Sequence, residues 1–223
     1  MDGALGVLSG VTFAVGLYMA FYYAPLLRHN GLKWWSQKIF YIHLPAAWGS
    51  MIGLVLVLVG SVAYFMTRKE KWDSFAVAAA EPCLLLATLV MVTGPLWGRP
   101  SWNTYWKWDD PRLMSYFALW LLLIAYMMLR AFSEDGDLKR STSAALGILG
   151  AISVPFVYAS VRMGNTLHPR PNKMQIGGKV WLTTYVFLAS FVFLFWLIFR
   201  VRRRIEEQRN QATRLNRLLM ELD

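Results

Sequence analysis

The chain has 223 residues, 57% of them hydrophobic and 16% charged, with a formal net charge of +10 and a single cysteine. So apolar a composition belongs in lipid, and with no soluble domain in view the positive balance reads as membrane topology rather than nucleic-acid binding. One cysteine, Cys83, excludes an intramolecular disulfide, a C-x-x-C thiol-exchange pair and thioether attachment of a prosthetic group.

Taken in chain order, six stretches are apolar and long enough to cross hydrocarbon roughly 30 Å thick. They are expected at 3–27, 39–67, 74–98 (interrupted only by Glu81), 113–131 (uncharged as far as Leu129), 141–161 and 180–199. Continuous apolar runs of this length favour helices over the short alternating strands of a barrel. The expected fold class is therefore an all-α integral membrane protein of six transmembrane helices, forming one domain over 1–223. The first span, which follows no basic segment, is expected to be retained rather than cleaved. Six crossings place both termini on one side and the loops 28–38, 99–112 and 162–179 on the other. Lys and Arg number ten in those three loops and thirteen on the terminal side. Arg200, Arg202, Arg203 and Arg204 directly follow the sixth span, so both termini are expected to be cytoplasmic.

Smaller landmarks follow the same order. Pro25, Pro82 and Pro155 are expected to bend or end their helices. Glu81 is expected to pair with a basic loop residue such as Lys71, in preference to a proton-relay role. The 200–223 tail is expected to form a basic amphipathic helix with Ile205, Leu215, Leu218, Leu219 and Leu222 on one side, lying on the lipid surface rather than docking to a partner. No H-E-x-x-H, phosphate-cradling glycine loop or G-x-S-x-G elbow is present, and no enzyme activity is expected.

The third loop, 97–112, carries most of the chemistry. Four of the eleven tryptophans, Trp97, Trp102, Trp106 and Trp108, lie there among Gly98, Pro100 and Pro111, interleaved with Arg99, Lys107, Asp109, Asp110 and Arg112. An interfacial aromatic belt would account for indoles at this depth. Such a density of rings and cations would equally suit a flat apolar ligand with anionic groups on its rim, and haem has that form. Of three histidines, His43 lies just inside the second span, where an imidazole is costly unless used. His168 lies in the fifth loop, and His29, beside Arg28, has the setting of a surface residue. His43 and His168 share the face of the tryptophan segment, where two neutral imidazoles are candidate axial ligands of a haem iron.

His43-Leu44-Pro45-Ala46-Ala47-Trp48, the Trp97–Asp109 run and Asn165-Thr166-Leu167-His168 together resemble the tryptophan-rich CcmC family of cytochrome c maturation. Trp97, Gly98, Trp102, Trp106, Trp108 and Asp109 meet that family's tryptophan-rich pattern, here spaced W-G-x-x-x-W-x-x-x-W-x-W-D. Asn103 stands where a glycine is usual, and the step from Asp109 to Arg112 is one residue longer than in the common form. The resemblance implies a bacterial inner-membrane protein that holds haem b at its periplasmic face. His43 and His168 would be the axial ligands, the tryptophan-rich motif would supply the surface, and Arg99, Lys107 and Arg112 would be candidates for propionate contact. It further implies presentation of haem to the chaperone CcmE, with CcmA, CcmB and CcmD as partners. The competing readings are a transporter of haem or another solute and a b-type electron-transfer subunit. The spans carry few ionisable groups for the first and lack the buried histidine pairs of the second.

Overall fold

A computed structural model describes residues 1–26, 36–163, 166–168 and 176–220, with Arg217 in its backbone alone. Helix α1 (Asp2–Tyr18) runs into a π-helical turn at Met19–Tyr23, and α2 (Gln37–Thr67), α3 (Glu70–Trp102) and α4 (Pro111–Phe132) follow. Then come α5 (Asp137–Ala159), which closes in a 3-10 turn at Ser160–Arg162, and α6 (Gly178–Met220). All six are long and apolar enough to cross a membrane, and no strand occurs among the described residues.

Three boundaries differ from expectation for identifiable reasons. The first helix stops at Tyr23, not 27, and Pro25 lies just beyond, without an N–H to continue it. The third extends past 98 to Trp102, so the first part of the expected tryptophan loop is helical. It ends where Asn103 turns left-handed at φ 59 and its N–H donates to the Arg99 carbonyl at 3.0 Å. That conformation favours glycine and, after it, asparagine, which accounts for Asn103 at the family's glycine position. The sixth helix continues unbroken for 43 residues, about 65 Å, roughly twice the hydrocarbon thickness. Pro82 and Pro155 sit inside continuous helices.

α2 lies at the centre, packed against α3, α5 and α6. Its small residues let the backbones approach: a Cβ at Gly60 would fall 2.9 Å from the Ala76 backbone nitrogen, so only glycine fits that crossing. Leu54, Val57, Val77, Ala79, Ala80, Cys83, Leu119 and Phe195 fill the core between these helices. Val55, Val59, Phe156 and Val192 point outward, which is sustainable only where lipid replaces water.

The two ends of the bundle are polar in different ways. At the end holding both termini, Asp2 pairs with Arg200 at 2.9 Å and with Arg204. Buried Arg130 holds buried Asp73 at 2.9 and 3.0 Å and reaches buried Glu206 at 3.6 Å. Glu81 pairs with Arg202 at 2.7 Å rather than with Lys71, because α6 crosses α3 there. Arg202 also meets Glu206 at 2.8 Å, Arg209 meets Asp135 at 3.4 Å, and Asn210 donates to Ser74 at 3.0 Å. The tail is thereby held to the bundle as the continuation of α6, instead of lying apart on a lipid surface. The opposite end gathers the starts of α2, α4 and α6 with the close of α3 and α5, and there Trp48 and Trp181 stack with centroids 6.2 Å apart.

Candidate functional site

His43 projects from the second turn of α2 toward α3, where its Nδ1 lies 2.9 Å from the Thr93 hydroxyl and its Cε1 edge lies over Gly94. The imidazole is half-buried. His168 and Arg112 lie at the same end of the bundle, within electrostatic range of it.

Asp110 joins them. It is fully buried at the N-cap of α4, with Pro111 following at the position a helix start tolerates best. Its carboxylate accepts from the Arg112 and Leu113 backbone N–H groups at 2.9 and 3.2 Å. It accepts equally from the fifth loop, from the Leu167 N–H at 2.7 Å and the Thr166 hydroxyl at 3.0 Å. The Thr166 hydroxyl oxygen in turn accepts from the His168 N–H at 3.1 Å. One carboxylate therefore starts α4 and fastens the two residues before His168 against the tryptophan segment. Burial pushes its pKa upward, but the Leu167 and Leu113 N–H groups, the Thr166 hydroxyl and the Arg112 N–H outweigh this and hold it below the usual carboxylate range.

Asp109, the acid that the motif match selected, is exposed and meets Lys107 at 3.5 Å. The acid built into the start of α4 and the fifth loop is Asp110, two residues before Arg112. The Asp-Pro-Arg sequence ahead of an apolar run was the available signal, an N-cap followed by proline at N1. Thr93 and Thr166 had no such signal, because their partners lie 50 and 56 residues away.

The tryptophans divide into two pairs. Trp97 and Trp102, on the last turns of α3, meet edge to face at 4.8 Å. A Cβ at Gly98 between them would come within 3.0 Å of the Thr104 carbonyl, which explains the motif glycine. Trp106 and Trp108 pack edge to face at 6.0 Å and both rest on Phe117 of α4. Trp108 is 69% exposed and Tyr105 60%, leaving aromatic surface open at this end. The buried Trp97 and Trp106 indole N–H groups meet no hydrogen-bond acceptor among the described residues.

The cations are not equivalent. Arg99 is spent on the loop itself, donating to the Asn103 carbonyl and side chain at 2.9 and 2.6 Å and lying over the Tyr105 ring. Lys107 faces Asp109. Arg112 donates to the Val157 carbonyl and is the one of the three that acts on His43. His29 lies outside the described residues, as do most of the first loop and half of the fifth.

Comparison with known proteins agrees with this arrangement at the level of family. The family model described as Heme exporter protein C matches residues 2–216. The Heme exporter protein C of Rhodobacter capsulatus is 30% identical over 211 residues, covering 91% of this chain and 85% of the relative. That of Bradyrhizobium diazoefficiens is 36% identical over 169 residues, 76% of this chain and 62% of the relative, so the chain spans a little under two thirds of that protein. A Marchantia polymorpha protein described as a putative cytochrome c biosynthesis ccmC-like mitochondrial protein is 29% identical over 195 residues, with 86% and 81% covered.

Proposed function

We propose, because this chain belongs to the haem exporter protein C family, that it holds haem b between His43 and His168 and presents it to the chaperone CcmE. Haem handling in cytochrome c maturation is the role that membership implies; the ligands, the recipient and the face are our reading. The observation that supports it most directly is the Asp110 clamp, which fastens the chain leading into His168 to the tryptophan segment, at the end of the bundle where His43 lies.

The residues present fit such a cargo. Two imidazoles suit a haem iron, the indole faces suit its ring, and the orphaned Trp97 and Trp106 N–H groups suit acceptors on its rim. When bound, haem brings an iron with two axial positions and a flat macrocycle edged by anionic propionates. The chain's own task is to hold and orient it. His43 is carried by a rigid helix, His168 by a loop tied to Asp110, and Trp102, Trp106 and Trp108 contribute contact area. Arg112, which donates to the Val157 carbonyl, is the counter-charge that bears on His43, while Arg99 and Lys107 are engaged within the loop. No bond in haem need be made or broken by this chain, and a partly open ring leaves room for a recipient.

The Arg200–Arg204 cluster at the terminal end supports a cytoplasmic placement of the tail and hence a periplasmic haem site in a bacterial inner membrane. CcmA, CcmB and CcmD would complete the assembly. The test is the absorption spectrum of the purified, haem-loaded protein with and without CcmE. The unaltered protein should give a six-coordinate low-spin spectrum and lose haem to CcmE. His43→Ala and His168→Ala should each turn high-spin or haem-poor, and the double variant should bind little. An unchanged low-spin spectrum in the double variant would place the iron elsewhere.

A further inference from the structure

We infer that Thr93 is a positioning residue that fixes the tautomer of His43, putting the proton on Nδ1 and leaving the Nε2 lone pair for a metal. The inference deepens the proposed function and rests on His43 being an iron ligand. It is carried by one hydroxyl with one hydrogen and two neighbours to satisfy.

The Thr93 oxygen lies 2.7 Å from the Leu89 carbonyl oxygen and 2.9 Å from His43 Nδ1, with the Val90 carbonyl a distant third at 3.5 Å. A carbonyl oxygen cannot donate. Two oxygens 2.7 Å apart with no proton between them would repel, so the hydroxyl hydrogen must point at Leu89. This is the back-bond that threonine commonly makes to the carbonyl four residues earlier in a helix. With its hydrogen committed, Thr93 offers His43 only a lone pair. Nδ1 must then carry the hydrogen, since the alternative sets two lone pairs facing each other at 2.9 Å in a half-buried place. A neutral imidazole has a single N–H, so Nε2 keeps its lone pair. Among the described residues no hydrogen bond is made to Nε2.

The arrangement is built from the chain's own groups. Threonine's χ1 is stiff because of its branching, both helices are continuous here, and the back-bond holds the hydroxyl toward His43. Metal-bound histidines generally donate their second ring N–H to such a partner, and loss of the partner costs about 10–100-fold in metal affinity. Serine at position 93 can make the same two bonds, whereas valine has the same shape and can make neither.

The experiment uses the full-length protein in detergent with nitrogen-15-labelled histidine, without haem. His29→Ala and His168→Ala spectra assign the three imidazoles. His43 should show a protonated Nδ1 and an unprotonated Nε2 in the unaltered protein and in Thr93→Ser. Thr93→Val should move the proton to Nε2 or leave it exchanging. In a parallel hemin titration, Thr93→Val should bind about 10–100-fold more weakly, while Thr93→Ser binds as the unaltered protein does. A protonated Nε2 in the unaltered protein would overturn the inference without any variant being needed, and so would an unmoved tautomer in Thr93→Val. The expected tautomer together with full haem affinity in His43→Ala would overturn the ligand assignment instead, separating the two failures.

Discussion

Replacing Asp110 by asparagine should separate its two tasks. Asparagine is as good an N-cap as aspartate, so the amide oxygen can keep the Arg112 and Leu113 N–H groups and α4 should start where it does now. The amide NH2 must then face the Leu167 N–H, which donates to the other carboxylate oxygen at 2.7 Å. A charge-assisted hydrogen bond is exchanged for a contact between two donors. Bonds to charged groups contribute about 1.5–3 kcal/mol each, and we expect a loss of about 2 kcal/mol in holding the His168 loop. If that loop supplies an axial ligand, hemin affinity should fall roughly thirty-fold, at about 1.4 kcal/mol per tenfold. The assay is hemin titration of the purified protein followed by absorption, with helicity checked by circular dichroism. Asp109→Asn is the control: its pairing with Lys107 is exposed and should contribute under about 1 kcal/mol. The pH dependence has a definite sign. Because the folded pKa of Asp110 is depressed, the clamp is fully present above the ordinary carboxylate value of 3.8 and is lost as pH falls through the lower folded value. Haem loss through this group should therefore begin only below about pH 4. Unchanged affinity in Asp110→Asn with a thirty-fold loss in Asp109→Asn would refute the assignment of Asp110.

Single Phe replacements of Trp102, Trp106 or Trp108 should weaken haem retention mildly. The triple Ala variant should release it, and full occupancy there would reduce the segment to an interfacial belt. Arg130→Met should take from buried Asp73 its closest cation, leaving only Arg140 at 3.9 Å, and leave Glu206 to Arg202, at a cost of about 3 kcal/mol. Thermal unfolding and protease cutting of the tail should both register this, and an unaltered melting curve would mean that the cluster is neutral to stability. With Cys83 buried and unreactive, cysteines placed at Tyr105 and Leu219, both about 60% exposed, should label from outside intact cells at the first position only. Labelling at Leu219 alone would reverse the proposed sidedness, and labelling of both would break the topology.

The six helices were legible because charge is so costly in hydrocarbon that uncharged runs mark them directly. Their ends were not, since at the membrane surface arginine, proline and tryptophan are all tolerated in a helix, and Trp97–Trp102 could be helix or loop on composition alone. The histidines and tryptophans stood out as chemically unusual residues in their settings. Asp110 did not, because the W-x-W-D spacing points to its neighbour, and the capping context of Asp110 shows only once the start of α4 is placed. Partners set by the register of two helices, Thr93 with His43 or Arg202 with Glu81, leave no local trace; the latter pair is separated by 121 positions.

α6 has a mechanical consequence. Between Lys179 and Met220 it contains neither proline nor glycine, the usual causes of a kink. It behaves as a stiff rod with Trp181 stacked on Trp48 near one end and Glu206 gripped by Arg130 toward the other. One unbroken helix thus carries both the tail and the indole that stacks five residues along α2 from His43, so the two polar ends of the bundle are spaced by a single element.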